Sequence, residues 1–355
     1  MASRTTEPSV AVVLVTYYGT KYLERLWASL EAQSYPRERW QMIVVENGPE
    51  RAAAQWFGEH APGTRVVIPG DNTGYAGGNA LGMQEALAAG VDHVVVVTQD
   101  THLAPDVLRA LVDVAERHPT AGAVQPKLMR REPDGRAVIH SRGNELHYLG
   151  VGFVGGDGEP DHALTEDPIT YASGAAVLYR AHALREVGLF DPALFMYHED
   201  SDLGWRMRLA GWQSVLAPSA VIYHDYDFTR TAVKFYWVER NRLVNVLTHY
   251  RAATLLLLAP ALFAFEPVSL LYAARSGWLR ERLRVYGFFL TPSSWRYLRA
   301  KRRTVQALRR KRDRELLPLL ASRFRFGPVA TPAVRFVLDP VFAAYWSVVS
   351  RLIAW

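Results

Sequence analysis

Short runs of β-branched apolar residues alternate with helically spaced stretches through the first hundred residues. Val10–Thr16 (VAVVLVT) is apolar at nearly every position, as in a parallel strand covered on both faces. The pattern predicts a helix over Tyr22–Gln33, strands at Gln41–Glu46 and Arg65–Ile68, a helix over Gly78–Ala89 stopped by Gly90, and a strand at His93–Val97. Strands and helices alternating at this spacing predict a doubly wound α/β sheet, whose ligands bind beyond the carboxyl ends of its strands. Thr16-Tyr17, Glu46-Asn47 and Thr98-Gln99-Asp100 each follow a predicted strand directly, so three polar clusters share one edge.

The next hundred residues are less regular. Ala172–Arg180 (ASGAAVLYR) reads as a strand entered through small residues. Glu199–Ala210 reads as a helix with Leu203, Met207 and Ala210 on one face, closed by Gly211, and Ala220–Tyr223 as a strand ending at His224. After about Thr231 the pattern changes. Val233–Tyr250 predicts a helix carrying Arg240 and Arg242, Ala252–Ala274 is largely apolar, and Val329–Trp355 is apolar and aromatic. Two regions follow: a catalytic domain over 9–230 and a helical, basic and apolar region over 231–355.

Composition adds three points. At 355 residues and 49% hydrophobic, the chain has material for about two domains and a proper core. It has no cysteine, which excludes disulfides, thiol nucleophiles and cysteine-ligated zinc. The net charge of +6 is concentrated: Arg275–Arg314 holds 14 Lys/Arg against 2 Asp/Glu, so the remainder of the chain is net acidic. The opening MASRTTEPS lacks the apolar run of a secretory signal, which points to the cytosolic side.

The stretches VAVVLVTYYG, IVVENGP, GDNTGYAGGNA, VVVVTQD, ASGAAVLYR, VGLFDPALFMYHEDSDLGWRMRLAGW and SAVIYHD, in this order, carry a resemblance. The chain resembles the family 2 glycosyltransferases, and within them the bacterial rhamnosyltransferase-like members that build cell-surface glycans. The resemblance covers roughly residues 10–228. It implies a GT-A fold, a Rossmann-like nucleotide-binding sheet with an acceptor subdomain. It also implies inverting transfer from a nucleotide-sugar donor to a lipid-linked, polyprenyl diphosphate glycan.

Such transfer needs a base for the acceptor hydroxyl and positive charge against the departing diphosphate. By the resemblance, Asp200 is the general base and Glu199 supports it; as residues, both also suit a helix N-terminus as plain caps. Asp100 and His224 are the implied ligands of Mg²⁺ or Mn²⁺, although Thr98 stands where the family's first carboxylate belongs. One Asp plus phosphate oxygens and waters still suffices for a hard cation. The implied donor site comprises Thr16, Tyr17, Glu46, Gln99, Asp100 and a glycine-rich loop of Asn72, Gly74, Gly77, Gly78 and Asn79. That loop is equally a loop-to-helix turn, and it lacks the dinucleotide spacing.

The acceptor is expected over Ser173, Gly174 and Ala175, with His198 and Trp205 beside it. Arg240 and Arg242 either grip a lipid diphosphate or form a solvated helix face. In the C-terminal region, Ala252–Ala274 would span ~35 Å as a helix, enough for a ~30 Å hydrocarbon core. Pro260 and Glu266-Pro267 are expected to divide it into pieces lying in the interface. Trp278, Trp295, Trp346 and Trp355 beside arginines suit anchoring to an anionic membrane surface at the cytoplasmic face of the cell membrane, and interleaved apolar residues make lipid a better partner than nucleic acid. Two other readings compete: a nucleotidyltransferase, for which TYYGTKY lacks the basic glycine-rich loop, and a non-catalytic subunit that binds nucleotide sugar or glycan. An oligomer is compatible with all of them.

Overall fold

A computed structural model describes residues 7–225, 231–324, 336 and 338–355. Parts of the expected sequence features, the opening Met1–Thr6 and most of Val329–Val337, lie outside the described residues. Contacts group the chain into two compact units, 1–144 with 154–207 and 212–227, and 145–153 with 208–211 and 228–355.

The first unit opens as the hydrophobic pattern predicts. β1 (Val10–Thr16) is buried along its whole length, followed by α1 (Leu23–Glu31), β2 (Trp40–Glu46), α2 (Ala52–His60), β3 (Arg65–Val67), α3 (Gly74–Ala88) and β4 (His93–Thr98). β1 runs parallel to both β2 and β4, and β2 parallel to β3. Val12, Leu14, Val44, Val95 and Val97 meet Leu26, Trp27, Phe57 and Leu111 in the main core. Continuous apolar strands are what a sheet covered on both faces requires.

Beyond β4 the sheet departs from the all-parallel expectation. β5 (Thr101–Leu103), α4 (Val107–Arg117), β6 (Ala121–Arg131) and β7 (Ala137–Ser141) come next; then β8 (Asn144–His147) and β9 (Gly152–Val154) contribute chiefly to the second unit. β10 (Pro168–Ile169), β11 (Ala176–Arg180), α5 (Ala181–Val187), α6 (Glu199–Ala210) and β12 (Gln213–His224) complete the first unit. The strand order is β10-β12-β6-β11-β4-β1-β2-β3, with β11 antiparallel to both β4 and β6. The reversed β11 therefore joins the parallel half to a mixed sheet, in which β5, β7 and β10 also run antiparallel to their partners. β12 is far longer than the expected Ala220–Tyr223, and a register shift between Ala217 and Val221 carries it from one pairing segment to the next.

The second unit is helical: α7 (Ala232–His249), α8 (Ala252–Arg275), α9 (Leu279–Phe289), α10 (Pro292–Ala307), the short α11 (Asp313–Leu316) and α12 (Asp339–Leu352), with β13 (Leu320–Ala321) beside β8 and β9. Pro260 and Pro267 do not divide the apolar stretch, because both lie inside one continuous 24-residue helix. Glu266 is no isolated carboxylate either. It is paired with the Arg282 guanidinium and accepts the Tyr286 hydroxyl at 2.7 Å. Trp346, expected at an interface, is buried and stacks on Tyr148 with ring centroids 4.5 Å apart.

Candidate active site

β1, β2 and β4 end side by side, and their ends build one end of the candidate site. Thr16, Tyr18, Gly19, Glu46, Gly48 and Ala53 line an open cleft there. The Thr16 side chain is buried, and its hydroxyl has no hydrogen-bond partner among the described residues. Glu46, which lines the cleft, also braces it: its two carboxylate oxygens accept the backbone N–H groups of Ala53 at 3.0 Å and Ala54 at 2.8 Å. Both donors belong to the first turn of α2, where unsatisfied N–H groups and the helix dipole favour an anion. The side chain thus holds the wall of the cleft. Tyr17 and Tyr18 are exposed and pack edge to face, and Gln99 clamps the Tyr17 backbone.

The glycine-rich segment is not an open phosphate loop. Gly77, Gly78 and Asn79 are buried within α3, which begins four residues earlier than predicted. A Cβ on Gly78 would meet Asn47 Nδ2 and Val15 at 2.9 Å, and one on Gly74, where φ is +71°, would meet the Phe195 carbonyl. These glycines permit close packing of a helix on a strand. Asn72 Oδ1 accepts the Gly74 N–H at 2.9 Å, and Asn79 Nδ2 donates to the Tyr75 carbonyl at 2.9 Å. Asn47, absent from the predicted set, organises the turn: Nδ2 donates to the Gly74 carbonyl at 2.8 Å and Oδ1 accepts the Thr73 hydroxyl at 2.9 Å. Its place directly after Glu46 at a strand end was the available signal.

At the other end, Asp100 Oδ1 lies 3.3 Å from His224 Nε2, so residues 124 positions apart meet as the motifs implied. Burial opposes the charge on Asp100, but hydrogen bonds from His224 and Thr98 outweigh it and hold the carboxyl below its usual range. His140 lies edge-on to His224, with ring centroids 5.2 Å apart. Among the described residues no three His, Cys, Asp or Glu side chains form a metal-binding group. The donor set is one oxygen and one nitrogen ligand, leaving most positions of a six-coordinate cation to diphosphate oxygens and water, and it fits a substrate-borne Mg²⁺ or Mn²⁺.

Between the two ends sits a pair of carboxylates at the start of α6. Asp200 Oδ2 accepts the Gly174 N–H at 3.1 Å and Oδ1 accepts the Ser201 N–H at 2.7 Å. The first of these bonds leaves the helix for the entry to β11, which a simple cap would not do. Ser173-Gly174-Ala175 is held from three sides: Gln125 Oε1 accepts the Ser173 N–H at 2.7 Å, the Tyr75 hydroxyl donates to the Gly174 carbonyl at 2.6 Å, and the Ala175 carbonyl accepts the Thr98 N–H at 2.9 Å. Tyr75 and Gln125 had no separate sequence signal. Through Gly174, Ala175 and Thr98, a short chain of hydrogen bonds and peptide links joins Asp200 to the Asp100 loop.

Glu199 is buried and its Oε2 has no hydrogen-bond partner among the described residues; burial and then the Asp200 charge push its pKa well above the carboxylate range. Burial also raises Asp200, against the pull of the Gly174 and Ser201 amides. Two carboxyls in such surroundings do not both ionise readily. The turn before α6 is strained: Phe195, Tyr197 and His198 all have φ of +62 to +65°. Non-glycine residues in this region cost energy and concentrate where geometry serves a site. His198 Nδ1 pairs with the Ser201 hydroxyl at 3.0 Å. Trp205 is buried, so it does not present its ring to an acceptor, and Asp202 is committed to Arg206 at 2.7 Å.

Arg240 and Arg242 belong to the second unit, where both are buried in α7. Arg242 pairs with Glu239 at 3.0 Å and donates to the Leu149 carbonyl at 3.0 Å, while Arg240 bonds the Asn241 amide oxygen at 2.6 Å and lies over the Trp237 ring. They form neither a solvated face nor an open phosphate grip.

A strand-end cleft, an Asp–His pair and a carboxylate pair at a helix start, on a mixed sheet with a parallel Rossmann-like half, define a GT-A glycosyltransferase. The structure is similar to a crystal structure of GalNAc-T7 with UDP, GalNAc and Mn²⁺, with a TM-score of 0.58 and 14% sequence identity; the match covers 79% of this chain and 55% of that one, so the chain spans about half its length. Residues 8–245 match the glycosyltransferase like family 2, and the chain belongs to that family. Over 234 residues it is 34% identical to the N-acetylglucosaminyl-diphospho-decaprenol L-rhamnosyltransferase of Mycobacterium tuberculosis, covering 60% of this chain and 75% of that protein. It is also 21% identical over 201 residues to the low-salt glycan biosynthesis hexosyltransferase Agl10 of Haloferax volcanii, covering 56% and 61% of the two chains.

Proposed function

We propose that this glycosyltransferase inverts configuration as it moves a hexose, L-rhamnose from dTDP-L-rhamnose, onto a glycan carried by a polyprenyl diphosphate at the cytoplasmic face of the cell membrane. The observation that carries the catalytic part is the Asp200 carboxylate, fastened to Gly174 at the entry to β11. There it takes the acceptor hydroxyl proton; the acceptor oxygen forms its bond to the anomeric carbon as the carbon–oxygen bond to the diphosphate breaks, and the nucleoside diphosphate leaves with the electron pair. One base without a covalent nucleophile makes this a single displacement, hence inversion. Its raised pKa makes Asp200 a stronger base than an exposed aspartate. Asp100 and His224 would hold Mg²⁺ or Mn²⁺, which supplies positive charge to the departing diphosphate. The choice of rhamnose and of a polyprenyl diphosphate acceptor is supported by the name of the mycobacterial relative.

The test is nucleoside diphosphate release from a panel of nucleotide sugars, with and without Mg²⁺ or Mn²⁺ and a polyprenyl-diphosphate-GlcNAc acceptor. Acceptor-stimulated release from dTDP-rhamnose alone, lost in Asp200→Asn, is the expected result. Release from a different donor overturns the sugar, undiminished turnover in Asp200→Asn overturns the base, and no turnover with donor binding retained leaves a binding subunit.

A further inference from the structure

α8 is built the wrong way round for a helix in water. From Ala252 to Leu271 its polar side chains point inward: the Thr254 hydroxyl donates to Asp313 Oδ2 at 2.6 Å, the Ser269 hydroxyl to Glu239 Oε2 at 3.4 Å, and Glu266 pairs with Arg282. Its outward residues are Ala253, Leu256, Pro260, Phe263, Ala264, Pro267 and Leu271, recurring every three or four positions. Leu256 and Phe263 are 76% and 77% exposed. From Ala252 to Leu271 every exposed residue is Ala, Leu, Pro or Phe. A helix on a soluble surface has the opposite arrangement.

The next two helices pair exposed apolar residues with exposed charge. On α9, exposed Leu279, Leu283 and Leu290 alternate with exposed Arg280 and Arg284; on α10, exposed Trp295 stands among exposed Arg296, Arg299 and Arg303. We infer that this face of the second unit is seated in one leaflet of an anionic bilayer, with α8 lying along the interface. Its apolar stripe enters the acyl chains, and the α9 and α10 arginines meet lipid phosphates. Two observations favour lying over crossing. A crossing would carry the Glu239–Arg242–Arg282–Glu266 cluster, packed near the middle of α8, into the bilayer centre. Pro260 and Pro267 also supply no N–H to the carbonyls of Leu256 and Phe263 on the outward face, a deficit that headgroups and water make good and hydrocarbon does not.

The test uses the full chain and flotation with vesicles, read without turnover and so independent of the donor and acceptor proposed above. Wild type is expected to float with phosphatidylglycerol–cardiolipin vesicles and, more weakly, with phosphatidylcholine. The double substitution Leu256→Glu and Phe263→Glu should lower the floated fraction about tenfold on both. Arg296→Gln with Arg299→Gln and Arg303→Gln should lower it on anionic vesicles only, as about 1 M salt should by shortening the Debye length to about 3 Å. Unchanged circular dichroism in each variant shows that folding is intact. Vesicle binding by the glutamate variant equal to wild type overturns the inference. So does a wild type that ignores vesicles but sediments as a dimer which those glutamates dissociate, because the face would then cover a second copy.

Discussion

The side-chain amide of Gln99 is docked on the backbone of Tyr17, accepting its N–H at 3.0 Å and donating to its carbonyl at 3.1 Å. This two-point clamp ties the loop carrying Asp100 to the end of β1, where Thr16 and Tyr18 line the cleft. The amide also occupies the space that a Cβ on Gly19 would need. Gln99 thus positions the cleft that the proposed function gives to the donor. Replacing it by Ala removes two hydrogen bonds worth ~1 kcal/mol each, so the donor KM should rise about tenfold or more while kcat changes less. Gly19→Ala should produce the same loss by evicting the amide, and the double variant should be no worse than Gln99→Ala alone, which steady-state kinetics of the three variants would reveal. Additive losses would show that the two residues act separately.

The carboxylate pair gives a second expectation. Removing a general base costs on the order of 10²- to 10⁴-fold in rate, so Asp200→Asn should lose that much kcat with the donor KM little changed. Because burial raises the Asp200 pKa, the proton it must lose before catalysis leaves at a higher pH than from an exposed aspartate. The acid limb of kcat/KM against pH should therefore stand above the ordinary aspartate range. Tyr75→Phe, which frees the Gly174 carbonyl, should lower kcat less and shift that limb, a change a purely structural role would not produce.

How much of this was readable in the chain differs by kind of interaction. Strands such as β1 and β4 declare themselves through unbroken β-branched runs, whereas Asp100 and His224 stand out through the resemblance of their strand-end motifs to the family's. The antiparallel insertion of β11 was not legible, because side-chain pattern reports burial and not strand direction. Glu46 belongs to the implied donor set and does line the cleft, but its bonds to the start of α2 are not legible in the chain, because residue type does not say which backbone its oxygens meet. Arg240 and Arg242 differ likewise: charge in a helix predicts solvent or ligand, whereas the Leu149 carbonyl that Arg242 meets is visible only when α7 packs. Pro260 and Pro267 were read as breaks by local propensity, which tertiary packing overrode.

The buried cluster in the second unit should be costly to break. Arg282 is fully buried between Glu239, at 2.5 Å, and Glu266, and its pKa is raised by both carboxylates although burial lowers it. Arg282→Met leaves those carboxylates facing apolar surroundings, and breaking one partner of a buried pair typically costs ~3–5 kcal/mol. Adding Glu239→Gln to that variant should recover part of the loss. Denaturant unfolding of the three proteins measures this, and a loss in Arg282→Met no larger than that of an exposed pair, such as Arg65→Met at Glu85, would refute it.

Acid should weaken each unit through one buried histidine. In the first unit burial, reinforced by Arg180, lowers the pKa of His93 to about 4; in the second, burial and Arg242 lower that of His147 to about 3. His147 is fixed in its neutral form, because Nδ1 accepts the Leu149 N–H at 3.2 Å and the ring stacks on Phe324. In the unfolded chain both titrate near 6.5, so between that pH and the folded values the unfolded state binds the extra proton. Their stabilisation is therefore complete above about pH 6.5 and is lost as pH falls, at up to ~1.4 kcal/mol per pH unit for each histidine. Below about pH 4 the His93 contribution stops changing, while that of His147 continues down to about 3. Denaturant titrations at half-unit pH intervals should show a slope that becomes shallower by one proton in His147→Gln, and a slope unaltered by that substitution would mean that His147 is already protonated in the folded unit.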